Sequence, residues 1–184
     1  MKVFISGGSK SGKSRYAEQL AVKMRKPDTP LYYLATMIPV DDEDKKRITR
    51  HRKERKEHGF ETVESGRDII TAREKCNNRG TFLLDSLTAL LANEMFKLDG
   101  SVEPEAYKKV ALQITEVLSK INDIVIVSDF IYSDAFLYDD TTEAYRRGLA
   151  YIDKKVADIS DAVIEVCAGN CIIHKGEELM SEID

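Results

Sequence analysis

Residues 7–14 read Gly7-Gly8-Ser9-Lys10-Ser11-Gly12-Lys13-Ser14, a full match to G-x-x-x-x-G-K-S/T. The pattern constrains the fold because its chemistry needs a strand running in and a helix running out. Both are present. Lys2–Ser6 is a short apolar run, and Tyr16, Ala17, Leu20, Ala21 and Met24 then recur at helical spacing from Ser14 to Lys26. Glycines let the backbone curl so that successive N–H groups point at one anion. The helix N-terminus adds unsatisfied donors and partial positive charge. The eight residues therefore predict a cradle for the phosphates of a purine nucleoside triphosphate, GTP or ATP. Lys13 reaches the β- and γ-phosphates and the Ser14 hydroxyl ligates Mg²⁺ in such a loop.

The rest of the chain predicts the surroundings that this loop requires. Leu31–Met37, Thr81–Ser86 and Asp123–Asp129 are apolar runs of strand length, and Phe60–Glu64 alternates weakly. Helical patterns fall at Asp41–His58, Leu87–Leu98, Glu103–Ile121 and Glu143–Ser160, the last preceded by the capping acids Asp139 and Asp140. Ala162–Cys167 and Cys171–His174 read as final strands around a Gly169-Asn170 turn. Strands that are apolar throughout, separated by helical patterns, indicate a mostly parallel sheet covered on both faces. The expected fold is α/β, a single P-loop NTPase-like domain over residues 1–184, with helices on both faces of the central sheet.

Composition narrows the function classes. At 42% hydrophobic the chain can bury a core, yet no apolar run approaches the ~20 residues that span a bilayer. The N-terminal MKVFISGG enters its glycines too soon for a signal peptide, and three cysteines make no disulfide framework, so the sequence reads as cytoplasmic. A net charge of −4 weighs against nucleic acid as a general partner.

A P-loop enzyme also needs a carboxylate at a neighbouring strand end to support Mg²⁺. Asp85 is the first candidate and Asp129 the second, against the plainer role of capping the helix that follows. One segment departs from the acidic average. Lys45, Lys46, Arg47, Arg50, Arg52, Lys53, Arg55 and Lys56 surround His51, and Arg47, His51 and Arg55 share one helical face. A neutral imidazole among guanidinium groups can attack an α-phosphorus and carry the nucleotidyl group. From composition alone a solvated charged helix with an incidental His is the preferred reading, and an RNA-binding patch would need aromatic residues that this segment lacks. Cys167, Cys171 and His174 are three soft ligands where a closed zinc site needs four, so a hairpin is the simpler reading. Tyr132, Tyr138, Tyr145 and Tyr151 cluster late in the chain, as core packing or as the lining of an acceptor pocket.

Several of these segments together resemble a known family, the bifunctional adenosylcobinamide kinase and adenosylcobinamide-phosphate guanylyltransferase of cobalamin biosynthesis. GGSKSGKS is similar to its G-G-A/S-x-S-G-K-S loop, and LYYLATM to its Y-I/L-A-T strand. DDEDKKRITRHR resembles D-D-E-M-x-x-R-I-x-x-H, FETVE resembles W-x-T-x-E, and LLDSLTALLANEMF resembles the family's acid-bearing strand and following helix. The resemblance implies GMP transfer through His51 and a catalytic Lys13. It implies nucleotide contacts at Ala35, Thr36, Met37, Arg52, Lys53, Glu54, Arg55 and Glu64, and places the metal-supporting acid at Asp85 and the family's Asn at Asn93. It also implies a corrinoid acceptor and a homo-oligomer, trimeric in the family. Two stretches depart from it. The family's S/T-N-E-V-G-x-G-I/V-V-P is replaced by Ser128-Asp129-Phe130-Ile131-Tyr132-Ser133-Asp134-Ala135-Phe136, and its F-R-D-x-x-G-x-x-N-Q by residues 145–154. A kinase with a changed acceptor, and a non-enzymatic nucleotide-binding or RNA-associated protein, are the competing readings.

Overall fold

A computed structural model of the chain describes residues 1–183; for Asp44, Lys45, Arg47, Arg50, His51 and Glu54 it describes the backbone alone. Seven strands form one sheet: β1 (Lys2–Gly7), β2 (Leu31–Ala35), β3 (Phe60–Glu64), β4 (Thr81–Asp85), β5 (Asp123–Asp129), β6 (Ala162–Cys167) and β7 (Asn170–Lys175). Their order across the sheet is β3-β2-β4-β5-β1-β6-β7. Every pairing is parallel except β6 with β7.

Alternation along the strands assigns residues to the two faces. Phe4, Tyr32, Leu34, Phe82, Leu84, Ile124 and Ile126 point to one core. That core is covered by α3 (Ile69–Glu74), α4 (Leu87–Met95), α5 (Ala106–Lys120) and α6 (Asp140–Ile159). Val3, Ile5, Leu31, Tyr33, Leu83, Val125 and Val127 point the other way, against α1 (Lys13–Met24) and the short α7 (Glu177–Ser181). Each fully buried Leu or Ile contributes about 1.5–3 kcal/mol. The periodicities explain the helices: α1 buries Lys13, Ala17, Leu20 and Ala21, and α5 buries Val110, Ala111, Ile114, Val117 and Leu118.

The strands and long helices fall where the sequence predicts them, to within about three residues at their ends, and α3 and α7 are additions to that reading. Helix α3 is short and capped by Asp68, whose side chain accepts from the Thr71 amide and hydroxyl. Helix α6 begins three residues earlier than expected, because Asp139 accepts from both the Thr141 and Thr142 amides at 3.0 Å. The β6–β7 turn is Ala168-Gly169 and not Gly169-Asn170. Both its central residues have positive φ, 49° and 80°, the geometry that matches hairpin twist.

Parallel order places the C-terminal ends of β1 to β6 along one edge of the sheet. Ala35 is level with Glu64 and with Asp85, and Gly7 is level with Asp129. Ligands of open α/β sheets bind at this edge.

Candidate active site

The loop between β1 and α1 is shaped by its glycines. A Cβ on Gly7 would stand 2.4 Å from the Val166 carbonyl oxygen and 2.9 Å from Ser11 Oγ. Gly12 caps α1 with φ 97°, and Lys10 is also left-handed at φ 58°. The curl is closed by Ser11 N–H donating to Gly8 O at 3.2 Å. The β6–β7 hairpin braces it, since Gly169 N–H donates to Ser11 O at 3.0 Å. Ser11 Oγ is buried inside this curl with no hydrogen-bond partner among the described residues. Such an orphan is costly unless a ligand or solvent satisfies it, which fits a cradle built for an anion. Gly8, Ser9 and Lys10 line the open side of the loop, Ser9 and Lys10 being exposed.

Lys13 opens α1 and is only 7% exposed. Its Nζ donates to Gly8 O at 3.1 Å and forms an ion pair with Asp129 at the end of β5. Ser14 follows it in the first turn, half-buried. Asp85 ends β4, and its Oδ2 accepts a 2.6 Å hydrogen bond from the Tyr33 hydroxyl. Burial, then the Asp85 charge, hold that phenol well above its ordinary pKa, so it remains a donor. No other hydrogen bond reaches the Asp85 carboxylate among the described residues, which leaves a hard oxygen available for a cation. The Asp85–Ser86 peptide is cis.

The segment after β2 is a structural seam. Thr36 is fully buried; its Oγ1 donates to Ser86 O at 2.8 Å and accepts from Ser86 N–H at 2.6 Å. Its hydroxyl is thereby committed to β4. Asn93 on α4 donates through Nδ2 to Thr36 O and to Gly66 O, both at 2.7 Å. One amide thus ties the ends of β2 and β3 to α4. Ala35 and Met37, on either side of Thr36, are half-buried at the same edge.

Helix α2 (Asp42–Glu57) connects β2 to β3 and packs against β3. His51 lies on it, and the side chains of His51 and Glu54 are outside the described residues. Arg52 and Lys53 are exposed, and Arg52 Nη1 reaches Glu64 Oε1 at 3.4 Å. Arg55 is placed differently from its neighbours. It is 7% exposed, and its guanidinium lies 3.6 Å from the centroid of the Tyr33 ring. The cation therefore packs under the helix, on the residue that holds Asp85, and not on the outer face.

The late segment was the least legible. Its tyrosines are each held by a different partner. Tyr132 donates to Asp153 at 3.1 Å, Tyr145 to Thr88 O at 2.9 Å and Tyr138 to Asp134 at 3.2 Å, while Tyr151 packs edge-on against Tyr107. Arg146, 7% exposed, organises this stretch. It donates to Ile131 O at 3.0 Å and Asp134 at 2.9 Å, pairs with Glu143, and stacks on Tyr138. His174 stands 2.9 Å from Glu165, an exposed pair on the β6–β7 hairpin. Sequence reasoning missed Asp153, a lone acid in an apolar helical stripe. It is 2% exposed and accepts from Ser128 at 3.0 Å and from Tyr132. Burial pushes its carboxyl up to about 7, with the Asp129 charge adding to the rise.

No helix among the described residues is long and apolar enough to cross a membrane. Among solved structures, a KaiC-like protein of Pyrococcus horikoshii superposes with a TM-score of 0.52 at 15% identity. That alignment covers 96% of this chain and 79% of the other. The flagellar accessory protein FlaH of Methanocaldococcus jannaschii aligns at 0.50 and 11%, covering 95% and 77%. These likenesses speak to the fold. The bifunctional adenosylcobalamin biosynthesis protein CobU of Escherichia coli is 33% identical over 116 residues, 61% of this chain and 60% of that protein. The bifunctional protein CobP of Pseudomonas aeruginosa is 29% identical over 185 residues, 97% of this chain and 100% of its own. The model of one family, cobinamide kinase / cobinamide phosphate guanyltransferase, matches residues 3–173, and the chain belongs to that family.

Proposed function

We propose that this chain is a kinase and guanylyltransferase of cobalamin biosynthesis. It phosphorylates adenosylcobinamide with ATP or GTP, then transfers GMP from GTP to the phosphorylated acceptor through a guanylyl-histidine at His51. The observation that carries the kinase half is a P-loop whose buried Lys13 stands between Gly8 and a strand-end carboxylate, in a member of this family.

Residues 7–14 wrap the β- and γ-phosphates, and Lys13 neutralises the charge that builds between them during transfer. Mg²⁺ would be held by the Ser14 hydroxyl and Asp85, hard oxygen donors that suit it, and would supply positive charge against the phosphates. Tyr33 orients Asp85 from behind. In the second reaction neutral His51 attacks the α-phosphorus of GTP, a P–N bond forms and pyrophosphate leaves. The acceptor phosphate then displaces the histidine and takes the GMP. Arg52 and Lys53 neutralise phosphate oxygens on the exposed face of α2, and Glu64 contacts the nucleotide. Arg55 acts from beneath the helix, through Tyr33. Ala35 and Met37 border the nucleotide at the β2 end, while Glu54 belongs to the same helix as His51. We place the enzyme in the cytoplasm as one P-loop domain in a homo-oligomer, trimeric by resemblance.

One observation favours a second reading, a kinase with a changed acceptor. The segment after β5 is rebuilt around Arg146 and leaves Phe136 and Leu137 66% and 89% exposed. Incubation with ATP, Mg²⁺ and adenosylcobinamide, followed by mass spectrometry of the corrinoid, separates the two. A phosphorylated corrinoid is expected. An unmodified corrinoid, with phosphorylation of another hydroxyl compound, would select the changed acceptor.

A further inference from the structure

We propose that Asp129 is the base that takes the acceptor's proton in phosphoryl transfer, and that the nucleotide exposes this base by drawing Lys13 away from it. The proposal rests on the kinase reading above.

Asp129 occupies a singular position at the sheet edge. Strand β5 lies between β1 and β4, so its end lies between the phosphate loop and Asp85. Asp129 is level with Gly7, and its carboxylate pairs with Lys13. The backbone around it is fixed from two sides. Thr88 Oγ1 accepts from the Asp129 N–H at 2.8 Å, and Gly7 O accepts from the Phe130 N–H at 3.0 Å. Its side chain is 28% exposed, so an acceptor hydroxyl can reach it from solvent. Asp85 is occupied differently, by Tyr33 on the α2 side of the edge.

Without nucleotide, Lys13 is neutralised by Asp129. A phosphate chain in the loop competes for the same ammonium with more negative charge. Once Lys13 turns to the β- and γ-phosphates, the Asp129 carboxylate has lost its counter-ion beside the reacting phosphoryl group. A positioned carboxylate there accepts the proton of the attacking hydroxyl. The acceptor O–H proton passes to Asp129 as the acceptor oxygen bonds to the γ-phosphorus. The bond from that phosphorus to the β-bridging oxygen breaks, and the nucleoside diphosphate leaves with the electron pair. Asp129 then returns its proton to solvent.

The groups facing Asp129 come from two helices. Lys13 faces it from α1, while Asp153 and Tyr145 face it from α6, and Tyr132 sits on Asp153. Asp153 is linked through Ser128 and retains its own proton up to about pH 7, so below that pH it adds no charge beside Asp129. Beyond Asp129 the chain presents Phe130, Phe136 and Leu137, an apolar border suited to a bulky acceptor.

The test is Asp129→Asn, with Asp129→Glu beside it. The amide should bind a non-hydrolysable GTP analogue with Mg²⁺ as tightly as the native chain or a few-fold tighter, since a competitor for Lys13 has lost its charge. Its kcat for adenosylcobinamide phosphorylation should fall about 10²–10⁴-fold, with loss of the acid limb of the pH–rate profile. Asp129→Glu, which retains a base, should recover at least about tenfold of that loss. A kcat within threefold of native overturns the proposal. So does a raised Mg²⁺ requirement with nucleotide affinity weakened tenfold, which would make Asp129 a metal ligand. If the native chain phosphorylates no corrinoid, the kinase reading fails by itself, and hydrolysis of the nucleotide by water reads the base instead. Hydrolysis slowed tenfold in Asp129→Asn supports the proposal, and an unchanged rate overturns it.

Discussion

The ends of β1, β2 and β4 and the segment from Asp129 to Asp153 border the same sheet edge, yet they are built in opposite ways. The first is held by short-range backbone geometry and buried neutral hydrogen bonds, such as the Thr36–Ser86 pair and the Asn93 amide. The second is held by charge: Arg146 gathers Asp134, Glu143 and two carbonyls, and Asp153 sits buried behind Ser128. The contrast teaches that one sheet edge can be fixed both by close backbone packing and by a buried guanidinium. A nucleotide's phosphates are the same in every relative, so the cradle is closely constrained. Between Asp129 and Asp153 a buried guanidinium with five donors, that of Arg146, holds the segment.

Four substitutions would sharpen or break this contrast. The largest effect is expected from Lys13→Ala, which should lower phosphoryl transfer at least about 10²–10³-fold while circular dichroism stays native. Arg146→Ala should cost about 2–3 kcal/mol in urea unfolding by leaving Glu143 and the Ile131 and Phe136 carbonyls without their donor. It should raise the acceptor KM and leave nucleotide affinity alone. A large loss of nucleotide affinity would show that the two regions are one unit.

Asp153→Asn comes next, and its sign follows from the carboxyl's raised pKa. The unfolded chain ionises this group near 3.8, and the folded chain holds the proton to about 7. Raising the pH between those values removes a proton from the unfolded state alone, so stability falls across that window and levels off above it. The amide should abolish a decline of about 2 kcal/mol between pH 5 and pH 8. A decline of the same size in the variant would exclude Asp153 as its source. Thr36→Val should be mildest, about 1 kcal/mol by thermal unfolding, because it strips a fully buried hydroxyl from the Ser86 backbone.

What could be read in advance divides along the same line. The loop at residues 7–14, the apolar strands and the long amphipathic helices follow local periodicity, and the sheet follows from their alternation. The place of Asp85 at the end of β4 was legible because TFLLD is an apolar run of strand length. Arg55 was not. The sequence put it on one helical face with Arg47 and His51, and the ring it packs on, Tyr33, belongs to β2, over twenty residues away. Asp153 was hidden for a related reason, since its partners Ser128 and Tyr132 are more than twenty residues away in sequence. Helix α3 is too short for its period to stand out, and α6 starts early because the Asp139 cap lies outside any apolar stripe.

The most direct measurement is intact mass after incubation with GTP and Mg²⁺ and no acceptor, on the native chain, His51→Ala and Arg146→Ala. An acid-labile adduct of GMP mass is predicted on the native chain and on Arg146→Ala, and none on His51→Ala. A native chain that binds GTP and yet gains no adduct would contradict the guanylyl-histidine. Loss of the adduct in a folded Arg146→Ala would contradict the independence of the two regions.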